Sequence, residues 1–198
     1  MTFQQNILKT FYPLLMRLNK NSAKNAAILL NKNNVNPVVP FYSLTVKDNK
    51  GYEFIFEKFA GEKVLIVNTA SYCGYTAQYA ELQKLYDKLK GKANIVGFPS
   101  NDFANQEKGT DDEIEKFCKI NYNITFSLLK KSVVVKKSGQ NDVFKWLTDP
   151  EKNGWNDHQP DWNFSKYIVN EEGVLTHYFG PAVSPLSDPI MSALENTF

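Results

Sequence analysis

The order of apolar and polar positions divides the chain into short segments of alternating type. The run VLIVN (64–68) predicts a buried strand over residues 64–70, and NIVGFPS (94–100) predicts a second one. Between them, apolar residues recur at helical spacing and predict an amphipathic helix at about residues 76–90. The residues of that stripe are Leu82, Leu85, Tyr86 and Leu89. Because parallel strands need a crossover connection, this order predicts a right-handed βαβ unit.

Hairpins and helices are predicted on both sides of this unit. Alternating residues at 41–59 indicate a hairpin with its turn at Asp48–Gly51, and residues 164–180 indicate another with its turn at Glu171–Gly173. A helix is predicted at 110–122, where Thr110 and Glu113 have the spacing of a capping box. Shorter helices are predicted at 141–149 and 189–195, and an apolar patch lies at 133–135. The polar stretch 101–109 is predicted to be a loop.

These elements together predict an α/β protein with a thioredoxin-like fold, in which helices flank a central mixed sheet. The predicted domain spans residues 40–198 and begins with the first hairpin. Residues 1–39 are predicted to be a separate basic helical extension and linker, because Asn and Pro dominate residues 31–40 and no periodicity appears there.

Charge is distributed unevenly, although the net charge of the whole chain is only +2. Residues 1–47 contain no acidic side chain and six basic ones: Lys9, Arg17, Lys20, Lys24, Lys32 and Lys47. An apolar stripe between Ile7 and Leu18 predicts a helix there, and we expect it to pack on the domain. A mitochondrial-type presequence and docking on an anionic membrane surface remain the alternatives.

The sequence lacks the apolar core of a secretory signal and has no run of about 20 apolar residues for a membrane span. It contains two cysteines, which without a signal peptide favour a reducing compartment. We therefore expect a cytoplasmic protein whose cysteines are catalytic or inert.

Cys73 lies in the stretch NTASYCGYT (68–76), between the first buried strand and the following helix. A helix N-terminus favours an anion, so this position predicts a lowered pKa for the thiol and a reactive cysteine. A small buried hydrophobe is the alternative for a free cysteine.

Several kinds of cysteine site are excluded by spacing. Cys73 is followed by Gly74, Tyr75 and Thr76, so the chain has no Cys-x-x-Cys dithiol. Ile66 and Ala70 stand where a peroxiredoxin motif needs Pro and Thr. Cys118, His158 and His177 form no zinc spacing with Cys73, and no cofactor or metal is predicted.

Three motifs in order resemble the glutathione peroxidase family, in its cysteine-containing, non-selenium branch. VLIVNTASYCGYT is similar to the first motif, GFPSNDFANQEKG (97–109) to the second and DWNFSKYIV (161–169) to the third. The resemblance runs from about residue 40 to the C-terminus and implies a catalytic tetrad: Cys73, Gln106, Trp162 and Asn163. Taken without the resemblance, Gln106 and Asn163 would be ordinary loop and turn residues, and Trp162 a core aromatic.

The resemblance implies a thiol peroxidase that reduces hydrogen peroxide or organic hydroperoxides and leaves Cys73 as a sulfenic acid. Cys118 lies in FCKINY (117–122), a context similar to that of the resolving cysteine in thioredoxin-dependent members. A buried, inert helical cysteine is the alternative. Because disulfide formation brings Cα atoms within about 7 Å, we expect residues 110–123 to unfold locally on oxidation.

The partners implied are a hydroperoxide substrate and thioredoxin as reductant, with no nucleic acid. The few arginines argue against a dedicated glutathione site. A glutathione-dependent one-cysteine peroxidase and a peroxide sensor that oxidises a partner protein remain open. Ser100 stands where the family often has Cys, and prolines are missing at Lys108 and Ser127. The absence of a long insertion favours a monomer or weak dimer.

Overall fold

The computed structural model describes residues 25–195. The strands are β1 (Ile28–Leu30), β2 (Thr45–Lys47), β3 (Glu53–Ile55), β4 (Lys63–Thr69), β5 (Ala93–Pro99), β6 (Ser127–Leu128), β7 (Lys166–Val169) and β8 (Leu175–Phe179). The helices are α1 (Gln78–Lys88), α2 (Asp111–Tyr122), α3 (Asp142–Leu147), α4 (Pro150–Asn153) and α5 (Asp188–Glu195). Short 3-10 turns occupy Phe41–Ser43 and Phe56–Phe59.

Six strands form one mixed sheet in the order β1-β8-β7-β4-β5-β6. The β4–β5 and β5–β6 pairs are parallel, while β7 is antiparallel to both β4 and β8, and β1 is antiparallel to β8. The hairpin β2–β3 lies outside this sheet. The predicted thioredoxin-like α/β fold is confirmed.

The core has two layers, one on each face of β4, because successive side chains of a strand point to opposite faces. Leu65 and Val67 pack in the layer that contains α1, α2 and α5. Val64 and Ile66 pack in the other layer, which contains α3 and the first 3-10 turn. Every residue of β4 is buried, so the apolar run in the sequence reflects a central strand covered on both sides.

Helix α2 begins and ends at residues suited to those positions. The Thr110 side chain accepts from the Glu113 amide and the Glu113 carboxylate accepts from the Thr110 amide, as the predicted capping box requires. Asn123 ends the helix in the left-handed conformation, which Asn tolerates better than most residues.

Strand β1 is an element that the sequence analysis did not predict. It lies within residues 1–39, yet it pairs with β8 and forms one edge of the main sheet. Three residues with no clear alternation carry little sequence signal, and the partner strand supplies the order. The predicted helical stripe between residues 7 and 18 lies outside the described residues, and the domain boundary after residue 39 stays a prediction.

The patch at 133–135 forms only an isolated bridge between Val133 and Gln140 rather than a strand. The short helix α4 was also not predicted. None of the helices within residues 25–195 combines the length and apolar content that crossing a bilayer requires.

Candidate active site

The predicted site residues meet at one edge of the sheet. Cys73 follows the carboxyl end of β4, and Gln106 follows the carboxyl end of β5. Trp162 and Asn163 lie a few residues before β7, which is antiparallel to β4 and therefore starts at the same edge. The topology thus brings together three segments that are far apart in the sequence.

Cys73 is fully buried within a series of tight turns that leads into α1. Its amide donates to the Thr76 hydroxyl at 2.9 Å, and that hydroxyl donates to the Ala70 carbonyl at 2.8 Å. The Tyr75 amide donates to the Cys73 sulfur at 3.4 Å. The turn therefore holds the sulfur in place through its own backbone.

The side chains of Trp162 and Asn163 lie near enough to the Cys73 sulfur to lower the pKa of its thiol. The Asn163 amide nitrogen donates to Gln106 Oε1 at 3.0 Å, which links the third segment to the second. Asn163 therefore connects Gln106 to the residues that act on the Cys73 sulfur.

The loop that carries Trp162 and Asn163 is held by Asn68 of β4. The Asn68 side chain donates to the Trp162 carbonyl at 3.1 Å and accepts from the Ser165 amide at 3.0 Å. Its carbonyl accepts from the Phe164 amide at 2.6 Å. Phe164 has a positive φ of 68°, which is a rare conformation for a bulky residue and costs on the order of 1–3 kcal/mol. These bonds keep the strained loop in the shape that points Asn163 at the sulfur.

The loop that carries Gln106 is strained in a similar way and is tied to the Cys73 turn. Ala104 and Asn105 both have positive φ, at 49° and 52°. The Tyr72 amide donates to the Gln106 carbonyl at 3.1 Å. Next to it, the fully buried Glu107 accepts from the Ser71 amide at 2.8 Å and from the Ser71 hydroxyl at 3.0 Å. These bonds tie the two loops to each other.

The expected lowering of the Cys73 pKa is wrong for this structure. Helix α1 starts at Gln78, five residues after Cys73, so Cys73 does not lie in the first turn of the helix. Burial raises the pKa of Cys73 to about 11, while the donors Tyr75, Trp162 and Asn163 lower it by a smaller amount. The sulfur is therefore held as a thiol surrounded by donors that would stabilise a thiolate.

Cys118 lies on α2, is fully buried and is a free thiol like Cys73. Both cysteines pack in the same apolar layer of the core. Burial raises the pKa of Cys118 to about 12, and the neighbouring Tyr79 side chain opposes that shift. The expected position on the apolar face of the helix is thus observed.

Sequence reasoning missed Asn68 and Glu107 as supports of the site. Asn68 directly follows the apolar residues 64–67 of β4 and is itself buried. A polar side chain at that place in a buried strand needs hydrogen-bond partners, and this is the signal that the sequence offered. Among residues 25–195, no cluster of His, Cys, Asp and Glu could hold a metal ion.

Comparisons with known proteins identify the family. Residues 41–148 match the family model described as glutathione peroxidase. Glutathione peroxidase-like peroxiredoxin 2 of Saccharomyces cerevisiae is 40% identical over 148 residues, covering 74% of this chain and 91% of the relative. Glutathione peroxidase homolog BsaA of Staphylococcus epidermidis is 41% identical over 145 residues, covering 73% and 90%. The crystal structure of Trgpx in apo form superposes with a TM-score of 0.61 at 26% identity, covering 80% and 97%.

Proposed function

The chain belongs to the glutathione peroxidase family and is a thiol peroxidase, and we propose that Cys73 is its peroxide-reducing residue, supported by Gln106, Trp162 and Asn163. The observation that supports this assignment best is a fully buried sulfur that accepts from the Tyr75 amide and whose pKa is lowered by Trp162 and by Asn163, which is itself bonded to Gln106. Neutral amide and indole donors stabilise a negative sulfur without forming a permanent ion pair with it.

In the first step, the Cys73 sulfur attacks the terminal oxygen of a hydroperoxide and the O–O bond breaks. The thiol proton passes to the departing oxygen, so the products are a Cys73 sulfenic acid and water or an alcohol. Burial disfavours the free thiolate, and Tyr75, Trp162 and Asn163 offset part of that cost when the thiol loses its proton. The same donors then face the charge that develops as the O–O bond breaks.

In the second step, the Cys118 thiol attacks the sulfenic sulfur, a disulfide forms and the sulfenic oxygen leaves as water. Two features support this role: Cys118 shares a core layer with Cys73, and it is the one other cysteine in the chain. Because Cys118 is buried on α2, the step requires the helix to open.

Thioredoxin is the proposed reductant, since a dithiol protein reduces such a disulfide by thiol exchange. The chain has a single arginine, Arg17, which lies outside the predicted catalytic domain. The domain therefore offers no arginine that could bind a glutathione carboxylate in a bidentate manner. A glutathione-dependent one-cysteine cycle is the competing proposal, favoured by the complete burial of Cys118.

Intact-mass analysis and peptide mapping after one equivalent of hydrogen peroxide distinguish these cycles. The native chain should lose two hydrogens and yield a Cys73–Cys118 cross-linked peptide. Cys118→Ser should stop at a Cys73 sulfenic acid that dimedone traps, and Cys73→Ser should not consume peroxide. Oxidation of Cys73 alone in the native chain, with Cys118 free, would reject resolution by Cys118 and favour glutathione.

Steady-state turnover separates an enzyme from a sensor that oxidises a partner. We expect sustained NADPH consumption with thioredoxin and thioredoxin reductase. A single stoichiometric oxidation without turnover under the same conditions would instead favour the sensor.

A further inference from the structure

A lysine side chain is fully buried beside the loop that carries Trp162 and Asn163. Lys166, the first residue of β7, donates from Nζ to the Phe164 carbonyl and to the Val183 carbonyl, each at 2.7 Å. Both acceptors are backbone carbonyls. Among residues 25–195, the carboxylate of Glu81 influences the amine through its charge, without a direct hydrogen bond to it. Such a placement is unusual, since lysine is almost never fully buried unless paired.

The bond to Phe164 completes the support of a strained residue. The Phe164 amide is already held by the Asn68 carbonyl, and its own carbonyl is held by Lys166. Both peptide groups that flank this positive-φ residue are therefore fixed. Because Asn163 precedes Phe164 directly, its direction depends on these two bonds.

The bond to Val183 connects the loop to the segment that follows β8. Residues 181–184 are also held by α1, the helix that follows Cys73. The Gln78 side chain donates to the Pro181 carbonyl at 2.7 Å, and the Ser184 hydroxyl donates to Glu81 at 2.7 Å. The amine of Lys166 therefore lies between the loop that carries the donors and a segment held by the helix of the Cys73 turn.

We infer that Lys166 is a positioning residue that sets the placement of Trp162 and Asn163 relative to the Cys73 sulfur. This inference rests on the proposed function of those residues. Lys166 does not contact the sulfur and is not a catalytic residue.

Substitution of Lys166 affects stability as well as placement. Burial lowers the pKa of Lys166 to about 7, so keeping the charged amine out of water is unfavourable. Lys166→Met removes that cost but leaves the buried Phe164 and Val183 carbonyls without their donor, which is destabilising. We therefore expect Lys166→Met to be less stable than the native chain, and unfolding in urea shows whether the variant is folded under the conditions of the rate measurement.

The test compares Lys166→Met with the native chain in three measurements: the second-order rate constant for oxidation of Cys73 by hydrogen peroxide, the pKa of Cys73 from its alkylation rate, and unfolding in urea. We expect the rate constant to fall at least tenfold and the pKa of Cys73 to rise, because Trp162 and Asn163 lower it in the native chain.

Lys63→Met is the matched control. Lys63 is also a buried lysine at the start of a central strand, and its Nζ donates to the Ala193 carbonyl at 3.1 Å in α5, away from the donor loop. We expect this variant to keep the native rate constant and the native pKa of Cys73, whatever its stability. Equal rates for Lys166→Met and the native chain would overturn the inference.

A double-mutant cycle of Lys166→Met with Asn163→Ala distinguishes the positioning role of Lys166 from the proposed role of Asn163. If Lys166 acts through Trp162 and Asn163, the losses in rate constant caused by Lys166→Met and Asn163→Ala should be less than additive. Additive losses would overturn the inference while leaving the proposed site intact. No loss from Asn163→Ala itself would reject the proposed function of that residue.

Lys166→Gln provides a second variant, since its amide keeps a donor without a buried charge. Its rate constant should lie several-fold below the native value and above that of Lys166→Met. If Lys166→Met does not fold, a rate constant of Lys166→Gln equal to the native value would contradict the inference. If neither variant folds, Lys166 is a structural residue and the inference is rejected.

Discussion

Burial and hydrogen bonding act in opposite directions on the thiol of Cys73. Burial disfavours the thiolate and is the larger effect, while the donors Tyr75, Trp162 and Asn163 favour it. The donors that reduce the cost of a negative sulfur are also placed to stabilise the transition state of its oxidation. Removing one of them should therefore change the pKa and the rate together.

We expect Trp162→Phe to raise the pKa of Cys73 and to lower the rate constant for its oxidation by about 10- to 100-fold, the range that corresponds to one hydrogen bond to a charged group. Stopped-flow oxidation and thiolate absorbance against pH measure the two effects. Trp155→Phe is the control, because the Trp155 indole donates to the Leu175 carbonyl in the other core layer. A pKa shift of equal size in both variants would contradict the assignment.

Glu107 is a buried carboxylic acid that makes no contact with the Cys73 sulfur. Its Oε2 accepts both bonds from Ser71, and its Oε1 is buried without a hydrogen-bond partner among the described residues. Burial raises the pKa of Glu107 from 4.5 to about 7. Between these values the folded state binds more protons than the unfolded state, so this group lowers stability as the pH rises from about 4.5 to 7.

Glu107→Gln should therefore be more stable than the native chain at pH 8 and similar to it at pH 4.5. The pKa difference limits the gain to about 3 kcal/mol at pH 8. Urea unfolding of both chains at several pH values between 4.5 and 8 measures it, and the other titrating groups cancel in the comparison. A stability difference that does not change with pH would show that Glu107 is not the titrating group.

Helix α2 combines a well-formed start with a cysteine that has to become accessible. Its capping box satisfies amide groups of the first turn, and Lys50 of the β2–β3 turn pairs with Asp112 and Glu115 on its exposed side. Cys118 lies on the opposite, buried side. The stability of α2 thus controls how often Cys118 could meet an oxidised Cys73.

Thr110→Ala should lower the free energy of unfolding by about 1 kcal/mol, the typical value of an N-cap. If opening of α2 limits resolution, the same change should speed disulfide formation about fivefold. Hydrogen exchange should show reduced protection of residues 110–123 in the variant, and in the native chain after oxidation.

Asn141→Ala is the control for this prediction, because it removes the side-chain cap of α3, which carries neither cysteine. It should cost similar stability and leave the rate of disulfide formation unchanged. An oxidised native chain with unaltered protection at residues 110–123 would reject the opening of α2.

At the scale of the whole molecule, the elements with strong local signals were predictable from the sequence. Three such signals correspond to observed elements: the apolar run of β4, the apolar stripe of α1, and the capping box formed by Thr110 and Glu113. In each case the residues of the segment themselves favour the structure that is observed. Strand β1 could not be predicted, because three residues acquire their conformation from pairing with β8. The shape of the Phe164 loop was also inaccessible, since positive φ is rare for Phe and depends here on distant partners.

The candidate site was predicted from three motifs rather than from local physics. No local pattern distinguishes Gln106 or Asn163 from other loop residues, whereas the sheet topology brings them to Cys73. The sign of the Cys73 pKa shift was not predictable either, because it depends on how completely the fold buries the sulfur.

The N-terminal part of the described chain is connected to the site through the edge of the sheet. The Gly180 amide donates to the Ala27 carbonyl and the Ala182 amide to the Asn25 carbonyl, each at 2.8 Å. These bonds fix the segment whose Val183 carbonyl accepts from Lys166. Residues 25–30 therefore support the same loop that positions Trp162 and Asn163.

A truncated chain that starts at residue 40 should be less stable and slower in Cys73 oxidation than one that starts at residue 25, although the predicted domain begins at residue 40. The shorter chain lacks β1 and the carbonyls that hold Gly180 and Ala182, so its unfolding midpoint in urea and its rate of Cys73 oxidation should both be lower. The chain that starts at residue 25 keeps these contacts and is the matched control. Equal stability and equal rates in the two truncations would instead support the predicted boundary and show that β1 contributes nothing to the site.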